Sequence, residues 1–326
     1  MQKIDLEVIK KSIEFLEEGK SLRFCTIIDK KGASTRPLGS LFVCSSCSED
    51  EYLGFISSPL MDKAFVKILR QKDFSKDFEY YSYGNHLLSN SEGINLPCCG
   101  YVKILIENLK ANKENISKQR QFLKFCERRE KFIKILDLKS KQTTFSKDAL
   151  GTKSIEITEE KICFSYEPVP RFLILGASLV SKYLIKMALE LEFEIKICDT
   201  REAIISSWDF GKKEGGLDVE IINPREFIKK YSDKNSIVLA LAHDPKFDDE
   251  GLIEAFSSDA FYIGAIGSAK NTQKRIDRFR LRDDFKEEFL QKLSAPVGLE
   301  IFAKIPTQIA VSIMAGVLKV LNSKND

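Results

Sequence analysis

Histidine is scarce in this sequence: there are two, His86 and His243, against 51 lysines and arginines and 48 aspartates and glutamates. A metal centre built from several histidines is therefore excluded, and a histidine general base could stand in only two places. Charge of one sign is missing too. A net charge of +3 over 326 residues gives no electrostatic footprint for nucleic acid or for a membrane surface. No long apolar run is present at the start. The opening MQKIDLEVIKKSIEFLEEGK sets Leu6, Ile9, Ile13 and Leu16 on one helical face with charges around the rest. That is an amphipathic helix, neither a secretory signal nor a membrane span. Without such a signal, the eight cysteines read as reduced thiols, which places the chain in the cytoplasm. The pair Cys44 and Cys47 has the Cys-x-x-Cys spacing, but no second pair completes a zinc site, and the loop-like SSCSEDE around it favours two ordinary small residues.

What is present suits two domains, on a prior of about 100–200 residues each. With 43% hydrophobic residues the chain can fill two cores. After the first helix, Leu22 to Asp29 reads as a strand, a polar loop KKGASTRPLGS follows, and Leu41 to Val43 resumes the apolar pattern. Ala64 to Arg70 has helical spacing, Tyr80 to Tyr83 and Val102 to Ile106 read as strands, and Lys110 to Arg129 as a solvated helix. Two further strands, Phe132 to Leu136 and Lys161 to Tyr166, bracket a polar segment. Pro168 and Pro170 then break the chain, so an N-terminal α+β domain over 1–167 and a Rossmann-like parallel-sheet domain over 168–326 are expected.

The second domain opens on RFLILGASLVSKYLIKMALELEFEIKICDTR, residues 171–201. Strand, glycine turn, helix, strand and the acidic Asp199 follow in the order of a nucleotide-binding βαβ unit. The second glycine of G-x-G-x-x-G is absent, and Ser178 stands in its place after Gly176 and Ala177. Ordinary dinucleotide binding loses ground, while a site for another phosphorylated ligand stays open. Beyond it, Val219 to Ile222 reads as a short strand, Pro224 to Tyr231 as a helix, and Ser236 to Ala242 as a strand covered on both faces. That strand ends at His243 and Asp244, with Asp248 close behind, where open α/β sheets hold ligands. Ala260 to Ile266 runs into Gly267, Ser268 and a helix carrying Lys270, Lys274 and Arg275, a second helix N-terminus suited to an anion. Pro296 to Gly298 makes a turn, and Thr307 to Leu321 is a helix apolar enough to need burial in a core or a subunit interface.

Taken together these stretches resemble the XdhC/CoxI family of accessory proteins in molybdenum-hydroxylase maturation. Gly32-Ala33-Ser34-Thr35-Arg36-Pro37-Leu38-Gly39 is similar to the family's GSSPRxxGA loop, and Cys98-Cys99-Gly100 lies at its CGG. Pro170 to Arg201 resembles PRLxIFGAGHVA with its acidic strand end. Ala242-His243-Asp244 with Asp248 resembles THDHxxD, Tyr262 to Ser268 resembles YIGxIGS, and Pro296 to Ser312 resembles PIGLxIGAxTPxEIAxSI. The departures are Ser178 and Leu179 in the glycine motif, Cys99 within CGG, and Gln308 for the usual Glu.

The resemblance implies a homodimeric chaperone without catalytic residues, which binds molybdenum cofactor (molybdopterin). It shields the cofactor while a sulfur donor sulfurates it and delivers it to a xanthine-dehydrogenase-type hydroxylase client. On that reading the turns at Gly176, Ala177 and Ser178 and at Gly267 and Ser268 take anionic groups. Cys98, beside Gly100, faces the metal or receives sulfur. Arg36, from the loop with Gly32 and Ser34, closes over the ligand. His243, Asp244 and Asp248 orient pterin edges beside Asp199 and the Pro296 and Gly298 turn. The alternative is an NAD(P)-dependent oxidoreductase that uses the βαβ unit and Asp199.

Overall fold

Alternating apolar residues in the N-terminal half build two antiparallel sheets, and near-continuous apolar runs in the C-terminal half build one parallel sheet. The computed structural model describes residues 1–32, 36–48, 50–72, 74, 76–83, 100–147, 154–208 and 217–323. Its contacts divide the chain into two units, Met1–Pro168 and Val169–Asp326.

The first unit contains α1 (Lys3–Glu17), β1 (Leu22–Lys31), β2 (Leu41–Ser45), β3 (Tyr52–Gly54), α2 (Pro59–Gln71), β4 (Phe78–Tyr83), β5 (Tyr101–Leu109) and α3 (Lys113–Glu127). It closes with β6 (Phe132–Asp137), β7 (Thr143–Ser146), β8 (Ile155–Ile157) and β9 (Lys161–Tyr166). The sheet orders are β3-β2-β1-β5-β4 and β7-β6-β9-β8. Strand periodicity divides β1 between two cores. Cys25 and Ile27 pack with Phe65, Val66 and Leu69 of α2, while Leu22 and Phe24 pack with α1 and with Phe122, Phe132 and Phe164.

The second unit runs β10 (Arg171–Leu175), α4 (Leu179–Glu190), β11 (Glu194–Cys198), α5 (Glu202–Ser206), α6 (Pro224–Tyr231), β12 (Ser236–Ala240), α7 (Pro245–Phe256) and β13 (Tyr262–Ala265). It ends with α8 (Ala269–Arg280), β14 (Leu293–Ser294) and α9 (Pro306–Asn322). The parallel order β11-β10-β12-β13-β14 reverses direction after β11, so the crevice at the carboxyl ends lies between β10 and β12. The strands are buried on both faces. Phe172, Ile174, Ile237 and Leu239 meet α4 and α9 on one side, and Leu173, Leu175, Val238 and Ala240 meet α6 and α7 on the other. The apolar α9 thus buries Ala310, Ile313, Met314 and Val317 in the core against α4. Val219 to Ile222 does not form the expected strand; only Glu220 bridges to Cys198.

Candidate functional site

The turn after β10 turns inward. Gly176 has φ 100°, and a Cβ there would stand 2.3 Å from Ala242 Cα, so glycine is required for the close approach of β10 and β12. The Ala177 N–H donates to Asp199 Oδ2 at 2.8 Å. Ser178 caps α4, its Oγ accepting from Ser181 N–H at 3.2 Å, and Ser181 Oγ in turn donates to the Gly176 carbonyl at 2.6 Å.

Asp199, at the end of β11, has no solvent exposure. Besides the Ala177 N–H it accepts the Arg201 N–H at 3.0 Å and Nε at 2.9 Å on Oδ1, and Nη2 at 2.6 Å on Oδ2. Burial by itself would raise its pKa, but the Arg201 bonds and the Ala177 N–H hold the carboxylate below its ordinary range. Arg201 also donates from Nη1 to the Ala242 carbonyl at 3.0 Å, tying the ends of β11 and β12 together. Four donors therefore meet the carboxylate that a dinucleotide would need for its ribose hydroxyl.

The second cluster lies between β12 and β13. Asp248 is fully buried; its Oδ1 accepts from Ala242 N–H at 3.1 Å. Arg275, 6% exposed, donates from Nη1 to the Ile266 carbonyl at 3.1 Å and from Nε to Asp249 Oδ1 at 3.0 Å, and its Nη2 reaches Asp248 Oδ2 at 3.5 Å. Burial pushes the Asp248 carboxyl up to about 7 against the opposing pull of Arg275 and the Ala242 N–H. His243 is exposed and sits in the left-handed region at φ 58°. Partial desolvation of its ring, then Arg201 and Arg275, hold its pKa below the usual imidazole value. Asp244 caps α7, its Oδ1 accepting from Lys246 N–H at 3.0 Å and Phe247 N–H at 3.3 Å.

A cavity of about 400 Å³ opens beside these residues. His243, Gly267, Ser268, Asn271, Glu300 and Ser312 supply its polar lining, while Ile266, Val297, Ile301, Phe302 and Ile309 are among its apolar walls. Ser268 caps α8, with Oγ accepting from Asn271 N–H at 3.2 Å. The Pro296 turn is pinned to β13 by Val297 N–H donating to the Ala265 carbonyl at 3.0 Å. At Gly298, φ is 104°, and a Cβ would lie 2.4 Å from Ser312 Oγ on α9. The structure thus gathers His243, Gly267, Ser268 and Pro296 on one cavity, with Asp248 behind it. Gly176, Ala177, Ser178 and Asp199 form a separate bonded cluster that Arg201 links to Ala242.

In the first unit, Arg36 is 7% exposed, with Nη2 3.4 Å from Asp5 Oδ1. Gly32 has φ 85°, and Gly100 lies so close to Lys31 that a Cβ would stand 2.2 Å from its carbonyl oxygen. Ser34, His86, Cys98 and Cys99 lie outside the described residues. Cys44 is buried and Cys47 exposed. Among the described residues no group of three or more His, Cys, Asp or Glu could hold a metal ion, and no helix is long and apolar enough to cross a membrane.

Spacing and composition give no role to Arg201 or Thr272; they set Asp249 only among the polar residues after a strand end, and Arg275 only among the cations of a helix whose N-terminus suits an anion. A signal for Arg275 is present, because Thr272, Arg275 and Phe279 share one helical face and all three are buried. Arg201 gives no such signal, since a cation two residues past a strand end reads equally well as a surface charge.

Residues 172–317 match the family model described as the XdhC Rossmann domain. A curated relative, the molybdenum cofactor insertion chaperone PaoD of Escherichia coli, is 22% identical over 319 residues, 96% of this chain and 87% of that protein. A Bacillus subtilis protein, named as a probable subunit of xanthine dehydrogenase, is 26% identical over 154 residues, 47% of this chain and 43% of that protein. A crystal structure from Bacillus halodurans, named as a xanthine dehydrogenase, superposes with a TM-score of 0.71 at 20% identity, covering 99% of this chain and 96% of that one. At that identity the likeness shows the fold alone.

Proposed function

From the match of residues 172–317 to the XdhC Rossmann domain, we propose that the chain is a member of that family, an accessory protein carrying molybdenum cofactor as cargo for a molybdenum hydroxylase of the xanthine-dehydrogenase type. The observation that carries the reading is the 400 Å³ cavity at the sheet's carboxyl edge, walled by apolar side chains and met by the N-terminus of α8. A pyranopterin with a terminal phosphate asks for these groups. Its phosphate needs helix-end amides, its ring edges need hydrogen-bond partners such as His243 and Asn271, and its reactive dithiolene needs walls that keep water away. The described residues fit the organic and phosphate parts of such a cargo rather than a bare metal ion, for which they supply no ligand group.

In this reading Cys98 provides the soft thiol toward molybdenum or receives sulfur. Arg36 acts from within its own unit, holding the turn before β2 against α1 through Asp5, whose Oδ1 also accepts the Leu41 N–H at 2.9 Å. A homodimer that meets a sulfur donor and then the client is the working species the family resemblance implies. The protein holds and hands over; it carries out no oxidation itself.

The test is anaerobic purification, mass spectrometry of the small molecule released on denaturation, and metal analysis of the same sample. Molybdopterin, with affinity lost on Cys98→Ala, is the expected result. NAD(H) at full occupancy in its place would overturn the proposal.

A further inference from the structure

We infer that the turn between β13 and α8 is the phosphate subsite of the cavity, and that the buried hydroxyl of Thr272 is a ligand-binding group within it. The inference rests on the reading that the cavity takes a phosphorylated molecule, and it decides between the two glycine turns of the sheet.

The turn at Gly176 is committed internally. Its glycine faces the Ala242 backbone, the Ala177 N–H is spent on Asp199, and Asp199 is met by Arg201. The turn at Gly267 differs in what surrounds its glycine and in lining the cavity. A Cβ on Gly267 would meet nothing nearer than Asn271 Cβ at 3.5 Å, and the residue lines the cavity. Ser268 and Asn271, at the start of α8, line the cavity; the first amides of the helix have no intrahelical acceptor, and of these the Asn271 N–H is taken by Ser268 Oγ.

Thr272 supplies an independent observation. It is 8% exposed, and its Oγ1 has no hydrogen-bond partner. A buried hydroxyl left unsatisfied costs about 1–3 kcal/mol, so a lone one in a folded protein needs a reason. Its Oγ1 stands 3.8 Å from the position a Gly267 Cβ would take, and Arg275 Nη1 stands 4.0 Å from the same point. Hydroxyl and guanidinium thus stand together beside Gly267, which lines the cavity while neither of them does. A phosphate oxygen drawn to the α8 amides would give the hydroxyl an acceptor and would be held by a guanidinium already fixed by Ile266 and Asp249. A phosphomonoester or a terminal phosphate is the ligand class this donor set selects.

The test uses the full chain and inorganic phosphate as probe, with backbone amide NMR as readout. Phosphate is expected to shift the amides of Ser268, Ala269 and Lys270 and to leave those of Ser178, Leu179 and Val180 in place. Thr272→Val, close in shape, is expected to keep or raise the urea midpoint, because the hydroxyl lost had no partner, yet to weaken phosphate binding by about ten-fold or more. Thr272→Ser is expected to restore binding. Unchanged affinity in Thr272→Val, or shifts confined to the α4 turn, would overturn the inference. If phosphate binding depends on Thr272 while molybdopterin does not bind, the cargo reading falls and the subsite stands; if molybdopterin binds Thr272→Val as it binds the parent, only the subsite falls.

Discussion

Asp248 carries a proton at a pH where almost every other aspartate has lost one, since burial pushes its carboxyl up to about 7. The unfolded chain would release that proton near pH 4. Between about pH 4 and about pH 7 the folded state therefore binds more protons than the unfolded state, and stability attributable to this group falls as pH rises through that window. Asp248→Asn is expected to remove that decline, because the amide oxygen can still accept the Ala242 N–H and stays uncharged. The comparison is of urea midpoints at pH 4.5 and 7.5 for parent and variant, and an identical pH dependence in both would refute the assignment. Gly176 is a residue-scale case of backbone geometry. Gly176→Ala combines a left-handed φ with a Cβ 2.3 Å from Ala242 Cα, and is expected to cost ~2–4 kcal/mol in urea unfolding.

At the scale of elements, the strand β6 holds a charge where its pattern asks for an apolar residue. Lys134 is 2% exposed, paired with Glu107 of β5 and set over the rings of Phe24, Phe122 and Phe164. Lys134→Met leaves Glu107 buried without its cation, and a loss of ~3–5 kcal/mol in thermal or urea unfolding is expected. Lys134→Met with Glu107→Leu is expected to recover most of that loss, since the desolvation cost of both charges goes with the pair.

Where periodicity is long or strong, the elements can be read directly from the chain: α1, α3, α9 and the strands β10 to β13 of the parallel sheet fall where apolar spacing sets them, while the two-residue β14 gives no such signal. Legibility stops where local and tertiary signals separate. The helix α7 is hidden in the sequence, although Asp244 and Pro245 form a good start to it, because four acidic residues, Asp248, Asp249, Glu250 and Glu254, mask its apolar face. The short β7 and β8 lie in a polar segment, and their burial is partial. The site shows the same division. Its place at the strand ends follows from topology, but the reason Gly176 must be glycine is Ala242, 66 residues away, and no local spacing shows such an approach. The partner of Asp199 is hidden for the opposite reason. Arg201 is so near in sequence that only the fold shows its guanidinium turning back on the carboxylate.

The whole molecule has two units, each with its own pair of apolar clusters. Residues 169–326, produced alone, are accordingly expected to unfold in a single cooperative urea transition with the far-ultraviolet signal of an α/β protein. A broad, non-cooperative transition would show that the second unit needs the first in order to fold.

The pairing of Asp199 with Arg201 has a practical consequence for handling the protein. Resins bearing immobilised nucleotides or dinucleotide-mimicking dyes retain Rossmann proteins by offering an adenosine ribose to that acidic position. Here the position is already satisfied by the protein's own arginine, so Asp199 offers such a column no ribose contact, and any retention is expected to be unchanged by Asp199→Asn.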